Sequence, residues 1–163
     1  MSDADSYFMQ QALLLADQAE ALGEVPVGAV LVYQNQVIGR GYNRVITDTD
    51  PSAHAEMVAV REAAASLQNY RILDTTLYVT LEPCPMCAGM LVHSRVKRLV
   101  FGAYDLKTGA CGSLMNLAQY DRLNHQLEIT GGVLETSCAD KLSNFFRVRR
   151  AAKKALKKAA SGS

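Results

Sequence analysis

Apolar residues follow two patterns along this chain. Some segments show helical spacing, and others are short apolar runs typical of buried strands. Residues 3–22 carry apolar side chains at helical spacing and end at Gly23, which predicts a helix with one buried face. Two short apolar runs follow, at 27–33 and 37–42. The polar residues 34–36 separate them, so the pattern predicts a β-hairpin.

The middle of the chain alternates helices with strands. Asp50 is followed by proline, which is typical of a helix cap and first helical position, and the apolar pattern predicts a helix over 51–67. Buried strands are predicted at 77–81 and 98–103. A short apolar segment at 84–92 lies between them and is expected to be a helix.

A long loop and a basic helix complete the pattern. Residues 104–124 are rich in glycine and small polar side chains, and a loop of this length is more often functional than idle. A strand at 127–130 and a helix from about 137 onward are predicted next. We expect one three-layer α/β/α domain with a five-stranded mixed sheet over 1–158, and a disordered tail or cloning remnant at 159–163.

Composition is that of an ordinary globular domain. Of 163 residues, 49% are hydrophobic and 20% are charged, which is enough for one sizeable core. No apolar run approaches the roughly 18 residues of a membrane span. The first residues are acidic and lack the layout of a secretory signal. We therefore expect a cytoplasmic protein whose four cysteines do not form a disulfide framework.

The small net charge hides an uneven distribution. Residues 147–158 contain seven lysines and arginines and no acid, so the rest of the chain has a net charge of −6. Such an arm can bind a polyanion, most simply a nucleic acid. It can equally be a solvated helix face, and the charge pattern alone favours neither interpretation.

Four residues in two short segments carry the chemistry. His54, Cys84 and Cys87 form a ligand set that leaves the fourth position of a zinc ion open to water. Glu56 follows His54 closely enough to move protons beside that water, and we expect its helix N-terminus to favour the ionised form. The pattern His-x-Glu followed by Pro-Cys-x-x-Cys is the signature of zinc-dependent nucleobase deaminases.

The paired cysteines have two other possible roles. A redox pair would leave His54 and Glu56 without a role. A structural zinc site would need a fourth nearby ligand, and neither Cys111 nor Cys138 has a cysteine or histidine at short spacing. The joint pattern therefore favours a catalytic zinc site.

Further segments extend the match well beyond the zinc signature. They are EVPVGAV (24–30), GYNR (41–44), DPSAHAE (50–56), YVTLEPC (78–84), KTG with GSL (107–114), LNH (123–125) and FFR (145–147). With these segments almost the whole chain resembles the bacterial tRNA adenosine deaminases, which convert the wobble adenosine of an anticodon into inosine.

The resemblance implies a cytidine deaminase-like fold and one zinc ion per subunit, bound by His54, Cys84 and Cys87. It implies that Glu56 takes a proton from water attacking C6 of adenine, delivers it to N1, and later protonates the leaving ammonia. It also implies a homodimer whose substrate is the anticodon stem-loop of a tRNA.

Several residues are candidates for substrate contacts. Asn43 can bind the ribose or a base edge, although an isolated asparagine more often satisfies its own turn. Val27 and the backbone of Ala55 and Pro83 are expected to wall the pocket. Asp105 can accept a hydrogen bond from a 2′-hydroxyl, or it can simply cap a turn.

Given a polynucleotide substrate, the basic side chains become candidates for phosphate contacts. These are Lys107, Arg147, Arg149, Arg150 and Lys153. We expect Phe145 and Phe146 to belong to the core rather than to stack on bases, although one of them can do both. Two other functions remain open at this point, a deaminase of free cytidine or guanine and a non-catalytic RNA-binding module with a structural zinc.

Overall fold

The structure is a computed structural model that describes residues 2–162 of the chain. Its elements follow the predicted order, with a short 3₁₀ turn added in the long loop. They are α1 (Asp3–Ala21), β1 (Gly28–Tyr33), β2 (Gln36–Tyr42), α2 (Ala55–Leu67), β3 (Thr75–Leu81), α3 (Pro85–His93), β4 (Arg98–Ala103), a 3₁₀ turn (Leu117–Gln119), β5 (Glu128–Gly131) and α4 (Glu135–Ser161).

The strands form one mixed sheet in the order β2-β1-β3-β4-β5. Strand β1 is antiparallel to both of its neighbours, whereas β3, β4 and β5 run parallel. One apolar cluster joins the sheet to α2 and α3, and a second joins the opposite face to α1 and α4. The predicted three-layer α/β/α fold with a five-stranded mixed sheet is confirmed.

The predicted hairpin between β1 and β2 is also confirmed. Gln34 and Asn35 both have positive φ, at 50° and 61°. Two consecutive positive φ values are the conformation of the tight turn that matches the twist of paired strands. Polar residues that tolerate this conformation therefore set the register of the hairpin.

The predicted start of α2 was wrong. The helix begins at Ala55, with His54 as its N-cap residue, and not at position 51. The Asp50 carboxylate accepts hydrogen bonds from both the backbone N–H and the hydroxyl of Ser52, so it caps a turn. An aspartate before proline suits either role, and the local sequence does not distinguish them.

The predicted end of α4 was wrong as well. The helix continues through Ser161, so residues 159–161 are helical and not disordered, while Ser163 lies outside the described residues. Alanine and lysine are good helix formers, and their run continues the helix. Among the helices described between residues 2 and 162, none is both long and apolar enough to cross a membrane.

Helix α2 packs very closely against β2. A Cβ atom at Gly41 would overlap the carbonyl oxygen of Ala55 and come within 2.6 Å of the backbone nitrogen of Ala59. Only glycine allows this approach. The contact presses the first turn of α2 onto the sheet and places the residues around His54 at the end of β2.

A buried acid ties α1 to the sheet. Asp5 is 3% exposed and accepts hydrogen bonds of 2.8 Å from both terminal nitrogens of Arg98 and from the hydroxyl of Tyr78. The Arg98 guanidinium holds the pKa of Asp5 below its usual value, and burial raises the pKa of Tyr78 to about 12. The network therefore needs an ionised Asp5 and a protonated Tyr78.

We expect Asp5→Asn to lower the free energy of unfolding by about 2–3 kcal/mol, because it leaves the Arg98 charge without its partner. Since folding lowers the pKa of Asp5, its contribution is full above the ordinary aspartate pKa and is lost as pH falls through the lowered folded value. Urea unfolding between pH 7 and pH 3 measures both effects.

The matched control is Asp3→Asn, an exposed acid at the start of the same helix. It should change stability by less than about 0.5 kcal/mol. Equal losses in the two variants would contradict the role given to the buried pair.

Candidate functional site

The strand ends next to which the candidate residues lie meet at one edge of the sheet. Gly28 pairs with Tyr42, Ala29 with Val79, and Leu81 with Ala103. The start of β1 and the ends of β2, β3 and β4 therefore lie side by side. The residues just beyond these strand ends, which include the predicted site residues, therefore lie close together at this edge.

Three ligand atoms converge at this edge. His54 is the N-cap of α2, Cys84 is the N-cap of α3, and Cys87 lies in the first turn of α3. Their ligand atoms all lie within 4.8 Å of one another. The Nδ1 atom of His54 is 3.6 Å from the Cys84 sulfur and 3.5 Å from the Cys87 sulfur. All three candidate ligands therefore lie at the N-termini of two helices.

The protonation of this group fits a metal cation. The interaction with Cys87 lowers the pKa of Cys84 to about 4, and the interaction with Cys84 raises the pKa of Cys87. The bond to Cys84 raises the pKa of His54. A divalent ion held by these donors would keep both sulfurs as thiolates. Two sulfurs and an imidazole are donors that suit zinc.

Glu56 lies beside this group in the first turn of α2 and is 4% exposed. Burial raises its pKa to about 6, while its own backbone N–H opposes the shift. The backbone N–H at the helix N-terminus favours the ionised form, as expected, but desolvation outweighs it. A carboxyl group with a pKa near neutrality can both accept and donate a proton.

A cavity of about 270 Å³ opens onto these side chains. Its volume suits a single nucleobase. It is lined by Val25, Val27, Asn43, His54, Glu56, Leu81, Glu82, Cys84, Asp105, Thr108 and Phe146. The predicted Val27, Asn43 and Asp105 are therefore part of the lining. Among the described residues, Ala55 and Pro83 are not part of it.

The backbone of Ala55 and Pro83 has other partners. The Ala55 N–H donates to Oδ1 of Asn43 at 2.8 Å, and the Pro83 carbonyl accepts from Ala110 at 2.8 Å. Asn43 therefore caps the first N–H of α2 and fixes the start of that helix. Its amide nitrogen is the group through which Asn43 can donate to a ligand.

Asp105 caps its own turn. Its carboxylate accepts hydrogen bonds from the backbone N–H groups of Lys107 and Thr108 and from the Thr108 hydroxyl. This is the turn-cap alternative considered from the sequence. The carboxylate also faces the cavity, and its contact with a 2′-hydroxyl stays a prediction.

Sequence reasoning missed a buried acid behind the loop that precedes α2. Glu24 accepts hydrogen bonds from the backbone N–H groups of Ile46 and Thr47 and from the Thr47 hydroxyl. Although burial raises its pKa, these hydrogen bonds hold the pKa of Glu24 below its usual value. An acid inside an otherwise apolar segment was the available signal.

The predicted phosphate contacts do not form one cluster. Lys107 and Arg150 line a groove of about 570 Å³ that shares several residues with the cavity. Arg147 donates to Asn144, and the Arg149 guanidinium lies 5.9 Å from the centre of the Phe145 ring. Lys153 is exposed farther along α4.

The prediction that Phe146 belongs to the core was wrong. Its side chain is 38% exposed and lines both the cavity and the groove, whereas Phe145 is half-buried. Helical spacing in the sequence did not distinguish a side chain over the core from one over a cavity.

Comparisons with known proteins agree with this geometry. A family model described as the cytidine and deoxycytidylate deaminase zinc-binding region matches residues 2–103. A tRNA-specific adenosine deaminase of Haemophilus influenzae is 57% identical over 154 residues, covering 94% of this chain and 89% of that protein.

Solved structures give the same picture. One from a study of A-to-I editing by tRNA:A34 deaminases at the wobble position of transfer RNA is 40% identical, with a TM-score of 0.81 over 83% of this chain and 99% of that chain. A guanine deaminase from Bacillus subtilis is 38% identical, with a TM-score of 0.59 over 64% of this chain and 66% of that chain.

We expect purified protein to contain one zinc ion per chain, and His54→Ala, Cys84→Ser and Cys87→Ser each to weaken zinc binding by more than about 100-fold. Removing even outer-shell partners of a metal ligand costs about 10–100-fold. Elemental analysis and competition with a chelator measure these changes. The control, Cys138→Ala, removes a buried thiol from another part of the fold and should retain the metal. A metal-free protein with an oxidised Cys84–Cys87 pair would support the redox interpretation instead.

Proposed function

Because this chain belongs to the family of the tRNA-specific adenosine deaminases, we propose that it hydrolyses the wobble adenosine of a tRNA anticodon to inosine and releases ammonia. One observation carries the proposal beyond family membership. His54, Cys84 and the buried Glu56 line a cavity of about 270 Å³, which suits one flipped base, and the Cys87 sulfur lies within 4.8 Å of the other two donors.

Zinc is the cofactor, and we assign His54, Cys84 and Cys87 as its protein ligands. A zinc ion at this position would supply Lewis acidity that lowers the pKa of water towards neutrality. The first turns of α2 and α3 orient the three donors, and the Asn43 amide cap holds the start of α2 in place.

Glu56 moves the protons in this proposal. Its carboxylate takes one proton from the water that attacks C6 of adenine and delivers it to N1. It then takes the proton of the new C6 hydroxyl and supplies it to the departing amine, so that the C6–N bond breaks and water and adenosine yield inosine and ammonia. The burial that raises its pKa to about 6 makes both transfers accessible near neutral pH.

We assign recognition of the extruded nucleotide to Asn43, Val27 and Asp105. Val27 provides an apolar wall, and the Asn43 amide nitrogen donates to the ribose or to an acceptor on the base. Asp105 stands at the junction of the cavity and the groove, where the sugar of an adjoining nucleotide would lie. The Ala55 N–H holds the Asn43 side chain and the Pro83 carbonyl holds Ala110, and we propose that the backbone of Ala55 and Pro83 supports the pocket wall.

The groove beside the cavity favours an RNA substrate over a free base. Lys107 and Arg150 place two positive charges next to the cavity mouth. Helix α4 then continues to Ser161, and about 11 residues separate Arg147 from Lys158, which is about 17 Å of helix. We propose that Arg147, Arg149, Arg150 and Lys153 contact phosphates along this path.

We also propose a homodimer that acts in the cytoplasm. Met86, Leu114 and Met115 are exposed apolar side chains on the two segments that the Ala110-to-Pro83 hydrogen bond joins. Exposed apolar side chains of this kind suit a contact with a second copy beside the site. A tRNA substrate and thiolate ligands both fit a reducing cytoplasm.

A deaminase of free guanine is the second candidate, and the likeness to the Bacillus subtilis guanine deaminase is the observation that favours it. A free base carries no phosphate group that the basic groove could bind. Incubation with an anticodon stem-loop and with free nucleosides and bases separates the two. Inosine formed only in the RNA is the expected result, and conversion of free bases alone would overturn the proposal.

We expect Glu56→Gln to lower kcat by about 10²–10⁴-fold, the range supplied by a positioned acid–base group. Zinc content and the Kd for the stem-loop should remain close to those of the unchanged protein, because Glu56 is neither a ligand nor a phosphate contact. Quantifying inosine by mass spectrometry measures the rate.

Glu62→Gln is the matched control on the exposed side of the same helix, and its rate should not change. Full activity of Glu56→Gln would contradict the proton-transfer role given to Glu56, and absence of inosine formation by the unchanged protein would support the non-catalytic RNA-binding interpretation.

We expect deletion of residues 147–163 to weaken stem-loop binding in a salt-dependent manner. Each lost phosphate contact should reduce the slope of log K against log salt by about 0.7–0.9. Fluorescence anisotropy at several salt concentrations measures the slope, and circular dichroism checks that the shortened protein folds.

A variant that changes Lys153, Lys154, Lys157 and Lys158 to Gln keeps the helix and should show the same direction of change. Arg71→Gln, near the opposite edge of the sheet, is the control for an exposed positive charge. Equal affinity with and without the basic helix end at low salt would contradict the phosphate-contact role.

A further inference from the structure

A second buried acid connects the zinc-ligand segment to the long loop. Glu82 follows β3 directly and lies two positions before Cys84. Its side chain is 2% exposed. A fully buried carboxylate is costly unless donors surround it, so its partners show what it holds.

All of those partners lie in the loop after β4. Oε1 of Glu82 accepts from the backbone N–H of Asp105 at 3.1 Å and from the Ser113 hydroxyl. Oε2 accepts from the backbone N–H groups of Cys111 at 3.1 Å and Ser113 at 3.0 Å. Four donors therefore fill the acceptor capacity of one carboxylate. No neutral side chain of this shape can accept all four.

The loop also has a steric requirement at this carboxylate. A Cβ atom at Gly109 would overlap the carboxyl group of Glu82 and the carbonyl oxygen of Asp105. The N–H of Ala110 donates to the Pro83 carbonyl at 2.8 Å. Residues 105–113 thus surround the end of β3, and the Glu82 side chain lies in the middle of this loop.

This loop carries the residues that face the proposed substrate. Asp105 and Thr108 line the cavity, and Lys107 lines the groove. Their positions relative to Cys84 depend on how the loop is held, and Glu82 is two residues from that ligand. One carboxylate therefore sets the distance between the recognition loop and the metal-ligand segment.

We propose that Glu82 is a positioning residue for RNA recognition, which holds the loop of residues 105–113 in register with the zinc-ligand segment. This inference rests on the proposed function. It differs from a general contribution to stability because the loop carries substrate contacts, while the ligands His54, Cys84 and Cys87 are held separately by the starts of α2 and α3.

The test is steady-state deamination of an anticodon stem-loop together with direct measurement of its Kd. We expect Glu82→Gln to raise both KM and Kd by about tenfold or more, the effect of losing one or more hydrogen bonds to a charged group. The change in kcat should be smaller, and zinc content should stay at one ion per chain. A merely structural role would lower the active fraction and leave KM unchanged.

Two milder variants keep the inference testable if Glu82→Gln folds poorly. Ser113→Ala removes one side-chain donor and should raise KM by a smaller factor. Gly109→Ala places a methyl group against the Glu82 carboxylate and should also raise KM. Adding Ser113→Ala to Glu82→Gln should have little further effect, because the hydroxyl would already lack its acceptor.

Amide hydrogen exchange at Cys111 and Ser113 reports the loop anchor directly. Both amides should lose protection in Glu82→Gln, while amides in α2 remain protected. Glu20→Gln, an exposed acid on α1, is the control and should change none of these quantities.

The outcomes separate this inference from the proposed function. If the unchanged protein forms no inosine, the proposed function fails, and the Kd and exchange measurements still test Glu82. If the unchanged protein is active and all three variants retain its KM and Kd, the inference is overturned and the proposed function stands.

Discussion

Two sulfurs and an imidazole nitrogen within 4.8 Å of one another form a donor set that suits a zinc ion. The sulfurs perturb each other strongly, since the pKa of Cys84 is lowered and that of Cys87 is raised. Much of the fold serves this convergence. The start of the antiparallel strand β1 lies beside the ends of β2, β3 and β4 at one edge of the sheet. Helices α2 and α3 begin at this edge. Their N-terminal N–H groups and dipoles favour thiolates at that place.

Buried carboxylates organise the surroundings of this centre. Asp5 ties α1 to the sheet, Glu24 holds the loop before α2, and Glu82 holds the loop after β4. Each accepts several hydrogen bonds, which offset the cost of burying a carboxylate. Both loops that border the cavity are therefore anchored from inside by an acid, and the scaffold of the site is polar as well as apolar.

Glu56 behaves differently from these three acids. Burial outweighs the hydrogen bonds available to it, and its pKa rises to about 6. The contrast agrees with the proposed function, because an acid that moves protons must change charge near neutral pH. The surroundings of each carboxylate thus distinguish the acids that hold loops from the acid to which we assign proton transfer.

Local pattern was sufficient for the element order, the mixed sheet and the proximity of His54, Cys84 and Cys87, because apolar period and ligand spacing are properties of neighbouring residues. It was insufficient for the start of α2, the exposure of Phe146 and the roles of Glu24 and Glu82. Each of these depends on partners distant in the chain. Burial, and with it the raised pKa of Glu56, follows only once the strands assemble and exclude water from the edge they share.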